Sequence, residues 1–347
     1  DGSVIATLGE TQVMANVMTP SLSQLRAVRA LRAEIGHTRG GCPYARFLCL
    51  NSGSESVSLA GRFADVNTKL HTDPGGRHAG TRVKRIAMKG AFHGRTELPA
   101  LYSDSSRKAY LQHLASYKHH NDQLVTIEPY SIDALRQAFA DADANAHGTL
   151  LLIDSIQAGI RAHGVLSIVD YPGFEGLEAP DMETYSKAIN GGQYPLSVLA
   201  VNERTAGLYR KGVYGNTMTA NPRALDVAAT VLGLLTPALR ANIRARGQEF
   251  LARLNALKDE LGGGLITKVQ GTGLLFSCEL DPSFKCFGAG STEEFMRERG
   301  IGVIHGGQNS LRFTPHFAIT AAEVDLVIEH IRHALLHGPR KSQAEAA

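Results

Sequence analysis

The sequence predicts an α/β protein of two lobes, a large domain built on a mostly parallel sheet and a smaller α+β domain. Three observations lead there. Short apolar runs that close in polar, glycine-containing turns recur through the middle of the chain. Helical apolar stripes separate them, the alternation that builds parallel sheets. After a long helical stretch, the pattern changes to paired strands followed by helices. The 347 residues are 43% hydrophobic and 20% charged, enough apolar material for one large core and a smaller one.

The elements follow from those patterns. Val83–Met88, Leu150–Ile153, Met182–Tyr185 and Leu196–Val201 read as buried strands. Leu59, Phe63, Val66 and Leu70 form a helical stripe behind a turn at Asn51–Ser54. From Asn221 to about Leu261 the spacing gives one long helix or a helix pair, with Val227, Val231, Leu234 and Leu235 on one side and Phe250, Leu254 and Leu257 later. The tail reads as strands around Leu265–Val269 and Leu274–Glu279, then helices at Thr292–Arg299 and Ala321–Leu336. Gly271-x-Gly273 lacks the further glycine and acidic partner of a dinucleotide fingerprint and is expected to be a strand bulge. The expected division is residues 1–40 as an N-terminal segment of the small domain, 41–225 as the large domain, 226–262 as interdomain helices and 263–347 as the small domain.

A formal net charge of +3, with basic residues scattered through predicted helices, points away from nucleic acid and anionic membrane and toward small-molecule chemistry. The four cysteines, Cys42, Cys49, Cys278 and Cys286, make no CxxC pair and no metal spacing, which suits reduced thiols in the cytoplasm. No signal peptide and no bilayer-length apolar run is found. The chain begins with Asp1, so the natural start is expected to lie outside it. His119-His120, His71, His78 and His113 read as loop and helix-surface residues, and no metal is expected.

In an open α/β sheet, ligands sit at the carboxyl ends of strands, so the polar residues closing each apolar run come first. Asp154 closes one, with Gln157 three residues on. Lys187 closes another and precedes Ala-Ile-Asn-Gly-Gly. Ser52-Gly53-Ser54 stands before a helix, where hydroxyls and unpaired N–H groups suit an anion such as phosphate. Phe92-His93-Gly94-Arg95-Thr96 offers an aromatic face. Singly, each has a commoner structural explanation as a cap, a turn or a solvated charge. Their order and spacing carry the functional meaning.

That order resembles the fold-type-I pyridoxal-phosphate enzymes and, within them, the class-III aminotransferases. Asn51-Ser52-Gly53-Ser54-Glu55-Ser56 resembles the family's Asn-Ser-Gly-Thr-Glu-Ala turn, and Gly90-Ala91-Phe92-His93-Gly94-Arg95-Thr96 its Gly-(Ser/Ala)-Tyr-His-Gly-Arg-Thr motif. Asp154-Ser155-Ile156-Gln157-Ala158-Gly159 is similar to Asp-Glu-Val-Gln-Thr-Gly. Lys187-Ala188 with Gly191-Gly192-Gln193-Tyr194-Pro195 is similar to Lys-Ala-Leu-Gly-Gly-Gly-Tyr-Pro. Gly215-Asn216-Thr217 through Asn221-Pro222 resembles Gly-Ser-Thr-Phe-Gly-Gly-Asn-Pro, and Leu311-Arg312-Phe313-Thr314-Pro315 a small-domain Ile-Arg-(Phe/Leu)-x-Pro-Pro stretch.

The resemblance implies pyridoxal 5'-phosphate on Lys187 as a Schiff base, and amino-group transfer between an amino acid or amine and a keto acid in ping-pong half-reactions. It implies Asp154 against the pyridine nitrogen, Gln157 at the 3′ oxygen, and Phe92 stacked on the ring, with His93 beside it. Ser52, Gly53 and Ser54 are expected at the phosphate, with Thr217 reaching it from the second subunit of a homodimer. Arg312 is expected to hold the substrate α-carboxylate. Two other activities stay open: racemisation, decarboxylation or aminomutation on the same cofactor, and a noncatalytic cofactor-binding scaffold or sensor. The sequence also departs from the family. Ser155 stands where most relatives carry Glu, and Tyr171–Gly176 reads as an insertion. The Glu-Pro-x-x-Gly-Glu-Gly loop is absent, which places a missing segment near Ala146.

Overall fold

A computed structural model describes residues 2–9, 19–119, 123–141 and 148–341. The expected missing segment near Ala146 and His120 lie outside them, as does the side chain of His119. The chain divides into two compact units, residues 1–157 with 166–234, and residues 158–165 with 235–347.

The first unit opens with helices α1 (Gly2–Gly9) and α2 (Leu22–Glu34), then strand β1 (Arg46–Leu50) and helix α3 (Gly53–Thr72). Next come β2 (Arg85–Met88), α4 (Glu97–Ala100), α5 (Arg107–His113), β3 (Leu124–Ile127) and α6 (Ile132–Asp141). It closes with β4 (Leu152–Asp154), β5 (Met182–Tyr185), β6 (Ser197–Val201), α7 (Glu203–Ala206) and α8 (Pro222–Gly233). Its main sheet has the order β1-β6-β5-β4, with β1, β5 and β4 running one way and β6 against them. A separate parallel pair joins β2 and β3. Every residue of β5 and β6 is buried; β6 therefore reads as a nearly unbroken apolar run, while β5 carries Glu183 and Thr184 between its apolar ends.

Helix α3 lies on this sheet. Its Leu59, Ala60 and Phe63 pack with Leu50, Met182, Leu199 and Val201, while Val66 is half-buried and Leu70 is exposed as the stripe runs off the sheet. Helix α2 packs on α8, where the buried Asp226 accepts from Ser23 at 2.7 Å and pairs with Arg26. Residues 1–40 therefore belong to the first unit, a correction to their expected place with the small domain.

The second unit contains α9 (Pro237–Leu261), β7 (Ile266–Thr272), β8 (Leu275–Leu280), α10 (Thr292–Arg297), β9 (Ile304–Gly306), β10 (Ser310–Phe313) and α11 (Ala321–His337). Its antiparallel sheet has the order β7-β8-β10-β9. The core is a stack of Phe250, Phe276 and Phe313, with ring centroids 4.4 and 5.1 Å apart. Gly273 turns the β7–β8 hairpin at φ 56°, and the register shift of β7 falls between Ile266 and Lys268. The expected bulge at Gly271-x-Gly273 is thus a hairpin turn. A Cβ on Gly273 would meet the Ala162 carbonyl oxygen at 2.2 Å, and one on Gly247 would meet Gly273 itself at 2.3 Å, so the close approach requires glycine at both.

Candidate active site

The topology brings four chain segments to one edge of the first sheet. In register, Leu50 pairs with Ser197, Tyr185 with Val198, and Asp154 with Thr184. The carboxyl ends of β1, β5 and β4 therefore share an edge, and the residues that follow them are Asn51, Ser186 and Ser155.

The α3 N-terminus is pinned there from both sides. Ser52 caps the helix by accepting from Glu55 N at 3.2 Å, while the Glu55 carboxylate accepts from the N–H groups of Asn51 and Ser52. Ser197 Oγ donates to the Ser52 carbonyl at 2.6 Å, and Ser56 Oγ bonds Thr184 Oγ1 in β5. The N–H groups of Gly53 and Ser54 project from the first turn, where helix geometry gives them no partner of their own. A Cβ on Gly53 would stand 2.4 Å from Ile156 Cδ1, and one on Gly94 2.3 Å from Ser54 Oγ. Three loops thus converge as tightly as glycine permits.

The loop after β2 completes the edge. Ser54 Oγ and Thr96 Oγ1 lie 2.7 Å apart, and buried Ser103 accepts from His93 N at 2.9 Å while facing the Gly94 and Pro99 carbonyls. His93 Nδ1 then meets Asp154 Oδ2 at 2.8 Å. An ionised carboxylate only accepts, so this contact assigns the proton to Nδ1. The other Asp154 oxygen accepts from Ile156 N at 3.1 Å, and the side chain is 14% exposed.

Lys187 is exposed and begins a 3-10 turn (Lys187–Asn190) after extended Ser186. Its φ of 49° is left-handed, a conformation that costs a side-chain-bearing residue about 1–2 kcal/mol. The turn ends at left-handed Gly191, and buried Ala188 and Ile189 anchor it.

Ser52, Gly53, Ser54, His93, Asp154 and Lys187 thus gather at one strand-end edge, with Gln157 two residues beyond the Ser155 that follows β4. Phe92, 54% exposed, contacts Arg95, whose guanidinium lies 5.7 Å from its ring centroid. Thr217 is exposed in a turn tied to α3 by Asn216 Nδ2 donating to Glu55 at 2.8 Å. Arg312 stands on β10 of the second unit, half-buried between buried Leu311 and Phe313, and desolvation holds its guanidinium below the ordinary value. All four cysteines are free thiols, and burial pushes Cys49 up to about 11 and Cys278 and Cys286 up to about 12.

Two features escaped the sequence. The His93–Asp154 contact joins residues 61 apart, and no local spacing encodes it. Glu183, fully buried inside β5, hid within a run read as apolar, although an acid in such a run is itself a signal. Among the described residues, no group of three or more His, Cys, Asp or Glu side chains is arranged to hold a metal ion.

The donor set suits a phosphorylated, cationic aromatic aldehyde. It offers a helix N-terminus with hydroxyls for the phosphate, a fixed carboxylate for a ring cation and an amine for the carbonyl. Comparison with known proteins places the chain in a family. The family pattern of Aminotransferase class-III matches residues 132–335. Succinylornithine transaminase of Citrobacter koseri is 30% identical over 308 residues, which cover 80% of this chain and 71% of that protein. The ornithine aminotransferase of Toxoplasma gondii ME49 superimposes with a TM-score of 0.76 at 20% identity, covering 97% of this chain and 82% of that one. The N-acetylornithine aminotransferase of Stenotrophomonas maltophilia K279a gives 0.67 at 22% identity, covering 97% and 86%.

Proposed function

Because the chain belongs to the class-III aminotransferase family and is a pyridoxal-phosphate-dependent transaminase of fold type I, we propose that Lys187 holds the cofactor and that Asp154 tunes it. Its substrates are an amino donor and a keto-acid acceptor. The observation that carries the residue assignment is the Asp154 carboxylate, bonded by His93 at one strand end beside the strand end that leads to Lys187. When bound, the cofactor withdraws electrons from the carbon attached to the transferred nitrogen.

The chain's own residues bind, orient and move a proton. Gly53 and Ser54 N–H groups, with the Ser52 and Ser54 hydroxyls, bind the phosphate at the α3 N-terminus, where the helix dipole favours an anion. Asp154 would keep the pyridine nitrogen protonated, since a neighbouring carboxylate raises the pKa of a cationic acid, and His93 Nδ1–H holds that carboxylate in place. Gln157 would bind the 3′ oxygen and Phe92 would offer an aromatic face to the ring. Lys187 would hold the cofactor through its Nζ and, as the amine nearest the reacting carbon, would move a proton to and from it. Arg312 holds the substrate carboxylate by two parallel bonds. Thr217 reaches the phosphate of a partner subunit in a homodimer.

The donor we assign is an amino acid with a terminal amine, the ornithine type that the relatives' names carry. The cytoplasm is the assigned compartment, supported by four unpaired thiols; no single described helix is long and apolar enough to cross a membrane. Borohydride reduction followed by peptide mass spectrometry should place the cofactor adduct on Lys187, and an adduct on another lysine refutes the assignment. Without acceptor, the holoenzyme should release one keto or aldehyde product per site from ornithine-type donors. Racemised or decarboxylated product in its place would overturn the transfer reading.

A further inference from the structure

Glu183 lies in the middle of β5 and is 0% exposed. Strand alternation turns it away from Thr184, whose hydroxyl is bonded to Ser56 of α3. Four donors from three chain segments converge on its carboxylate. Ser155 Oγ at 2.5 Å and Ile168 N at 2.9 Å donate to Oε1; Tyr44 Oη at 2.8 Å and Ser167 Oγ donate to Oε2. Burial pushes the carboxyl above its ordinary value, and these hydrogen bonds pull it back. An acid at such depth is tolerated only when its oxygens are fully bonded.

We propose that Glu183 is a positioning residue that fixes the cofactor end of β4. Ser155 directly follows Asp154, and its N–H already donates to the Thr184 carbonyl at 3.0 Å. The side-chain bond to Glu183 adds a second, differently directed tie to the same residue, and Asp154 Oδ1 is held by Ile156 N just beyond it. Together they leave the peptide that carries the Asp154 carboxylate little freedom to rotate. The resembled motif has a glutamate at the position of Ser155; here the acid stands on the neighbouring strand and reaches the same turn from there. The inference rests on the reading of Asp154 as the partner of the pyridine nitrogen.

The test compares two single-bond deletions on one acid. Ser155→Ala removes the tie to the site turn and leaves Glu183 three donors; Tyr44→Phe removes a donor from the other oxygen, away from that turn. Each is measured as holoenzyme for kcat and KM, and as apoprotein for pyridoxal phosphate affinity by absorbance titration. In Ser155→Ala, kcat and cofactor affinity should each fall about tenfold, while KM for the donor changes by less than about threefold. Tyr44→Phe should stay within about twofold of wild type on all three, since its lost bond does not touch the turn. Equal losses in Ser155→Ala and Tyr44→Phe, or none in Ser155→Ala, overturn the proposal and leave Glu183 a core fastener. Asp154→Asn measured alongside separates the two failures. If it also leaves kcat and affinity unchanged, the reading of Asp154 has failed; if it lowers both while Ser155→Ala does not, only the positioning role has.

Discussion

Glycine would adopt the left-handed backbone of Lys187 freely, yet the chain keeps a side chain there at φ 49°, which is strain retained at the position proposed to supply the amine. At an ordinary site, glycine is less stable than alanine because the unfolded chain gains freedom; here the strain on alanine offsets that term. Lys187→Gly should therefore be at least as stable as Lys187→Ala in urea melts of the apoprotein, and neither should attach the cofactor covalently. A clear stability advantage for alanine would mean that the turn carries no strain. Arg312 makes the second residue-level expectation. Arg312→Ala should raise KM for amino and keto acids and lower kcat, Arg312→Lys should recover little because lysine keeps the charge without the fork, and amines lacking a carboxylate should be affected much less. Equal losses on an amino acid and a matched amine would remove Arg312 from carboxylate binding. The positions of Asp154 and Lys187 at strand ends were legible in the sequence because Asp154 closes one run and Lys187 comes just after another. Glu183 was not, since the rule that buried strands are apolar assigned Met182–Tyr185 to the core without asking what an acid does there.

Three helices, α2, α3 and α11, begin with the same reciprocal box, pairing Ser21 with Gln24, Ser52 with Glu55 and Thr320 with Glu323. The identical device serves two ends. At α11 it only closes the helix, whereas at α3 the remaining N–H groups face the shared strand-end edge. Hydrogen bonds from the Thr320 backbone and hydroxyl, then His316, hold the Glu323 carboxyl below its ordinary value. A carboxyl depressed in the folded state stabilises above its unfolded pKa and loses that contribution as pH falls through the folded value. Thr320→Ala should thus lower the melting temperature by a few degrees at neutral pH, by less below about pH 4, and leave turnover unchanged. Ser52→Ala should show the stability loss together with weaker cofactor binding. If titration of the Ser52→Ala apoprotein gives wild-type affinity, the Ser52 hydroxyl does not bind the phosphate. The strands at Met182–Tyr185 and Ser197–Val201 were legible to within one residue; in the second, burial on both faces leaves a nearly uninterrupted apolar run, and the first has apolar ends around Glu183 and Thr184. Register was not legible, and register is what sets Ser56 beside Thr184.

The division of the chain into two units separates the residues proposed for the cofactor from the one proposed for the substrate. Every residue proposed for the cofactor, from Ser52 to Thr217, falls in the first unit, and Arg312 falls in the second. The sequence reading began the small domain at residue 263 and sent residues 1–40 to it, whereas the second unit holds 158–165 with 235–347 and residues 1–40 lie in the first. The deciding contact is Ser23 and Arg26 on Asp226, some 200 residues away. This division makes ligand binding readable by hydrogen exchange. A ligand that binds only the folded form stabilises it by RT ln(1 + [L]/Kd), about 2.7 kcal/mol at a hundredfold excess over Kd, and that gain appears in the segments whose opening would release the ligand. Adding pyridoxal phosphate to the apoprotein should therefore slow exchange in the amino-terminal turn of α3, at the β4 end and in the Lys187–Asn190 turn, with little change in β8 or α11. Adding a nonreactive amino-acid analogue to the holoenzyme should then slow exchange in β9 and β10 around Arg312, and an analogue without the carboxylate should not. Protection of the second unit by cofactor alone, to the same extent as the first, would show that the two units do not open separately. Protection of β10 by the analogue without a carboxylate would show that its ordering does not depend on Arg312 gripping an acid.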